Sequence, residues 1–213
     1  MGTRLTSAFL LGLAALLLVR CGSEPAAPRS TPKPTEIQKA RVAAPAFNAD
    51  SAYAYIAQQV AFGPRVPNTT EHVACGDWLS RELTRHGADV IEQPGLVRAY
   101  DGTILRIRNF IGQFRPENRE RILLFAHWDT RPFADKDTLR MREPIDGAND
   151  GGSGVGVLLE IARLLGADST LDVGVDIVFF DAEDYGTPEW GEKNQNSALT
   201  WCLGSQYWAN QPH

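Results

Sequence analysis

Three short segments of this 213-residue chain gather residue types suited to acid–base and metal chemistry. They are His127-Trp128-Asp129, Asp150 within the glycine-rich stretch Gly147–Gly154, and Asp181-Ala182-Glu183-Asp184. Each has an ordinary explanation alone. A histidine and a carboxylate can satisfy one another, an aspartate can cap a helix, and adjacent acids can sit in a solvated loop. Brought together, the carboxylates would repel one another unless a cation sat among them. Carboxylates with an imidazole suit zinc. Asp129 could fix the tautomer of His127 from behind. On an extended segment Glu183 and Asp184 would face opposite ways, so one could bind metal while the other moves protons at the substrate.

The elements around these segments imply that they meet. Ile122–Ala126 is an unbroken apolar run that ends at His127, as expected of a central strand buried on both faces. Val173–Phe180 is a second such run, ending at Asp181. Between them Gly154–Leu165 is apolar around most of its circumference and predicts a deeply packed helix. Strand, helix and strand in this order predict an α/β fold: a three-layer sandwich with a mostly parallel mixed central sheet flanked by helices. Ligands of such sheets collect outside the carboxyl ends of the strands, where all three acidic segments fall.

Upstream, Asn48 or Asp50 can cap a helix with the stripe Tyr53, Ile56, Ala57 and Val60, stopped by Gly63–Pro67. A second helix starts near Asn68 or Thr69, with His72, Cys75, Leu79, Leu83 and His86 on one face and Gly87 at its end. The two histidines read as packing or surface residues. Strand signals follow at Val90–Glu92, Leu96–Tyr100 and Ile104–Phe114, and a last helix is expected over Trp201–Ala209.

The N-terminus has another character. Arg4 precedes an apolar run from Ala8 to Val19, too short to span a bilayer but suited to a signal-peptide core. Residues 21–46 hold five prolines and no periodicity, as in a flexible tether. The expected organisation is a signal peptide over 1–20, a tether over 21–46 and a catalytic domain over 47–213. Leu18–Ser23 resembles a bacterial lipoprotein cleavage site that would lipidate Cys21, although Arg20 stands where that pattern has a small residue. Export is expected, to the periplasm, to a membrane anchor through Cys21, or into the medium. Export would permit a Cys75–Cys202 disulfide, and two separate thiols fit equally well. The formal net charge of −5 argues against a nucleic-acid partner.

The segments Ala126–Pro132, Gly147–Val155 and Phe179–Gly186, in this order, resemble the zinc-dependent aminopeptidase and glutaminyl cyclase superfamily. Trp201–Ala209 is similar to bacterial members of the animal-type glutaminyl cyclases. The resemblance spans roughly Phe47 to His213. It implies Asp150 and Asp184 as zinc ligands and Glu183 as catalytic acid/base. It implies that His127 is a ligand in a two-zinc aminopeptidase, or lies beside the metal in a one-zinc cyclase. It aligns Trp190 with an aromatic residue lining the cyclase pocket. The family's final ligand is a histidine far downstream. This chain offers only His213, so it reads as C-terminally truncated and inactive as it stands.

Three functions compete. A glutaminyl-peptide cyclotransferase would act on N-terminal glutamine of peptides or proteins with one zinc. An aminopeptidase would use Glu183 as base for a metal-bound water, with two zincs. A non-catalytic extracellular binding module would do neither, and the intact acidic set argues against it.

Overall fold

The computed structural model describes residues 44–192 and 196–213. The expected signal peptide, tether and Cys21 lie outside them. The chain order is α1 (Ala49–Ala61), α2 (Thr70–Arg85), β1 (Asp89–Arg98), β2 (Ile104–Phe114), β3 (Arg121–His127), α3 (Gly152–Ala167), β4 (Gly174–Phe180), a 3-10 turn (Ser197–Thr200) and α4 (Leu203–Asn210).

Helix starts follow their caps. Asn48 accepts the N–H of Ser51 at the head of α1, and Thr69 accepts that of His72 at the head of α2. The inward face of α1 differs from the expected stripe. It presents Ala52, Tyr55, Ile56 and Gln59, while Tyr53 is 73% exposed. Gln59 is drawn inward by polar bonding, since its side-chain amide donates to the carbonyls of Tyr55 and Gly152. Helix α2 buries His72, Cys75, Leu79 and Leu83 as its spacing requires.

The four strands form one mixed sheet in the order β1-β2-β4-β3. β3 and β4 are parallel, and β1–β2 and β2–β4 are antiparallel. Parallel pairing is thus confined to the two apolar runs. The two short strands expected near residues 90 and 100 are one continuous strand, β1, which passes through Pro94. An edge position tolerates the missing donor.

Helices cover both faces. α2 and α3 pack with Phe110, Phe114, Val175, Ile177 and Phe179 around the main core. On the opposite face Leu203 joins Leu105 and Ile107, and Trp208 packs on Ile111, Val178 and Phe180. Every residue of β4 is buried. β3 is not the central strand that its apolar run implies. Among the described residues it is an edge, and Ile122 (51%), Leu123 (39%) and Phe125 (64%) stand exposed.

Candidate metal and acid–base site

The parallel pairing of β3 with β4 places His127 opposite Phe180, so Asp129 and the segment 181–184 leave the same sheet edge together. The two loops are then bonded directly. The Asp129 carboxylate, fully buried, accepts the N–H of Glu183 at 2.9 Å and that of Asp184 at 3.1 Å. Both of its oxygens are occupied. It also stands 3.5 Å from His127 Nδ1, a nitrogen with no closer hydrogen-bond partner. On the other side of the ring the Asp150 Oδ1 lies 3.0 Å from Nε2.

Asp150 arrives from the turn before α3. Gly151 caps that helix with φ +77°, and a Cβ there would lie 2.9 Å from His127 Cε1. Glycine is needed for the backbone conformation and for the close approach of the imidazole. Residues 181–184 form a bend and not an extended segment, with Ala182 at φ +48°. Glu183 and Asp184 still diverge. Asp184 is 6% exposed, whereas the Glu183 side chain is 33% exposed and lies 3.9 Å from His127 Nδ1.

The charges are crowded. Burial, then the negative fields of Asp129, Asp150 and Glu183, raises the Asp184 carboxyl to about 7 against the pull of Arg131. Burial works against protonation of His127, but Asp129, Glu183 and Asp150 outweigh it and raise the imidazole to about 9. Asp184 Oδ2 is buried and has no partner. A buried carboxylate oxygen without a donor, among other carboxylates, is what a cation would relieve. The donor set of Asp150 and Asp184 thus fits zinc. Among the described residues no three His, Cys, Asp or Glu side chains by themselves form a group that could hold a metal. His213 adds nothing here. It accepts from the Trp208 indole and lies 3.6 Å from Asp176, about 16 Å along β4 from Asp181 by strand rise.

A cavity of about 600 Å³ opens beside the acids, lined among others by Arg131, Phe133, Asp150, Asp184, Thr187 and Trp201. Arg131 donates to the Asp184 carbonyl at 3.0 Å, pairs with Asp135, and stacks 4.6 Å over Trp201. Trp190 is not part of this lining. It packs edge-on against Phe133, with the Arg142 guanidinium 4.0 Å above its ring.

Several supporting residues carried no sequence signal. Trp201 read as the start of a helix and of a segment similar to bacterial cyclases, with no sign that it faces the acids. Cys202 donates from Sγ to Glu183 Oε1 at 3.4 Å. His72, set down as a packing or surface histidine, meets both Asp181 oxygens at 2.9 Å and stacks on Trp128. Partners so far apart in sequence leave no local pattern. Cys75 and Cys202 are both free thiols.

Residues 109–213 match the model of Peptidase family M28. No curated protein matches the chain. Solved structures do. A Zn-dependent exopeptidase from Parabacteroides distasonis is 60% identical, with a TM-score of 0.76 over 80% of this chain and 58% of its own. The glutaminyl cyclase of Tannerella forsythia is 60% identical, with a TM-score of 0.76 over 79% and 58%. A leucine aminopeptidase precursor from Bacteroides thetaiotaomicron is 56% identical, with a TM-score of 0.77 over 81% and 59%. The domain is similar in sequence and structure to zinc-dependent exopeptidases and glutaminyl cyclases. Its sheet and flanking helices are those of that fold. The chain spans 58–59% of the length of these relatives.

Proposed function

We propose that this chain is the ligand- and base-bearing part of a zinc-dependent glutaminyl-peptide cyclotransferase. It would convert N-terminal glutamine of peptides or proteins to pyroglutamate with loss of ammonia. The observation that carries this reading is the division between neighbouring acids. Asp184 is buried with an oxygen left over, and Glu183, beside it, keeps a partly open carboxylate. The likeness to the Tannerella cyclase supports it.

Asp150 and Asp184 are the residues that would hold one zinc ion. When bound, the ion would supply Lewis-acid polarisation of the substrate's side-chain amide carbonyl. Glu183 accepts a proton from the substrate α-amine as that nitrogen attacks the amide carbon, and returns it to the departing ammonia. One C–N bond forms and one breaks, so no water is consumed. The reaction is intramolecular, and holding the terminus in a near-attack geometry supplies much of the rate gain. Export, with or without lipidation at Cys21, fits an enzyme that meets peptide N-termini outside the cytoplasm.

The second reading is an aminopeptidase, favoured by the likeness to the leucine aminopeptidase precursor. There His127 would turn to a second zinc and Glu183 would serve a water nucleophile. The deciding experiment assays the full-length protein on a Gln-peptide and on a leucyl amide, with and without chelator. Chelator-sensitive pyroglutamate formation supports the cyclase. Release of leucine with two bound metals per chain overturns it.

A further inference from the structure

One further tie, besides the strand pairing and the bonds among the acids themselves, joins the Asp129 loop to the Asp150 turn. Arg65 lies between two prolines in the loop after α1, and its side chain is wholly buried. Its Nε donates to the carbonyl of Trp128 at 3.2 Å. Its Nη1 donates to the carbonyl of Asp146 at 2.5 Å, and its Nη2 to that of Gly147 at 2.9 Å. Its own carbonyl accepts the N–H of Thr130 at 3.1 Å. Trp128 and Thr130 flank Asp129. Arg65 therefore fixes the backbone on both sides of the carboxylate that grips the amides of Glu183 and Asp184.

The other side of the clamp reaches Asp150. The Gly147 carbonyl that accepts from Arg65 also accepts the N–H of Gly152 at 3.1 Å, closing the turn in which Asp150 sits. Gly147 has φ +57°, and a Cβ there would fall 2.3 Å from Thr130 Cγ2 and 3.1 Å from Arg65 Nη2. The two loops touch at backbone distance around the guanidinium. Burying a charge is costly unless fixed dipoles replace its water, and here three carbonyls do so. The planar fork matters, because a single ammonium cannot reach three separated carbonyls in those directions. A buried hydrophobic residue would fill the space without binding either loop.

We propose that Arg65 is a positioning residue of the metal and acid–base site. Through one guanidinium it sets the Asp150 turn against the Asp129 loop, and through Asp129 it sets Glu183 and Asp184. It touches no reacting atom. The inference rests on reading Asp150, Asp184 and Glu183 as the working residues.

The test compares the whole chain with Arg65→Lys and Arg65→Ala by hydrogen exchange read segment by segment. In Arg65→Lys, exchange in 128–131 and 146–152 is expected to rise by about tenfold or more while β4 and the body of α2 keep their protection, as a local opening requires. Guanidinium ion at millimolar concentration is expected to restore those two segments in Arg65→Ala, at levels too low to unfold the protein. Unchanged loops in the lysine variant, or a uniform rise that includes β4, would overturn the proposal. A second arm titrates zinc ion alone, with intrinsic tryptophan fluorescence as readout. Weaker zinc binding by Arg65→Lys than by the parent supports the positioning role, and equal binding overturns it. A parent chain that binds no zinc counts against Asp150 and Asp184 as a sufficient site, and the exchange arm then decides the clamp by itself.

Discussion

His72 Nε2 sits 2.9 Å from both carboxylate oxygens of Asp181, and neither side chain reaches solvent. Asp181 also accepts the N–H groups of Arg108 and Ala182, so its oxygens are saturated by donors. The pair ties α2 to the first residue after β4, where the acid segment begins to bend. Removing one partner leaves the other charged or polar group buried without its counterpart. His72→Ala is expected to cost about 3–5 kcal/mol of stability, measured as a fall in denaturant midpoint at constant m-value. A loss near zero would show that water replaces the imidazole.

Glu183→Gln keeps the size of the side chain and removes its proton-accepting charge. Turnover by the full-length enzyme is expected to fall by a factor on the order of 10²–10⁴, the range for one general acid–base group. Bound zinc per chain is expected to stay unchanged by metal analysis. Unchanged turnover would remove Glu183 from the reaction.

The metal-free protein should lose stability as pH rises through the neutral range. Raised to about 9, His127 binds more protons folded than unfolded above its ordinary 6.5. The stability so supplied is complete below 6.5 and lost as pH climbs through 9. Asp184, raised to about 7, acts in the same direction from its ordinary 3.8 upward. His86, lowered chiefly by burial, opposes them only below 6.5. Thermal melts in chelator between pH 6.5 and 9 should therefore show a falling Tm, with a shallower slope in His127→Gln. A Tm that rises over this interval would contradict the arrangement.

Cysteine reactivity should separate cleanly. Burial pushes the Cys75 thiol up to about 12, and no part of it is exposed. Cys202 is half-buried and raised to about 11, first by burial and then by its bond to Glu183. Peptide mapping after limited alkylation of the native protein is expected to find label at Cys202 and none at Cys75. Unfolding should expose Cys75, and oxidant alone should not join the two.

The sequence was most readable where pattern is local. Periodicity and a cap located α2, an all-round apolar run located α3, and two shorter apolar runs located β3 and β4 with the acids at their ends. The surroundings of each acid were less readable, because they depend on contacts across the fold. Asp129 was read as a partner for His127 from their spacing, and it stands 3.5 Å from that imidazole, but its bonds to the amides of Glu183 and Asp184, 54 and 55 residues away, left no local signal. Arg65 looked like part of a helix stop because proline brackets it. Its role depends on carbonyls more than 60 residues downstream. The placement of β3 was misjudged for a related reason. An apolar run reports that a strand prefers cover, and cannot say whether the described chain supplies it.

That exposed flank of β3 governs how the protein will behave in a tube. Among the described residues the outer edge of β3 has no strand beside it, and with Ile122, Leu123 and Phe125 along it, it is a template on which another strand can align. Purified preparations of this chain should self-associate as concentration rises, visible as a growing scattering mass. A lysine at position 123 or 125, where the side chain already faces water, should keep the protein dispersed while leaving the acidic cluster untouched.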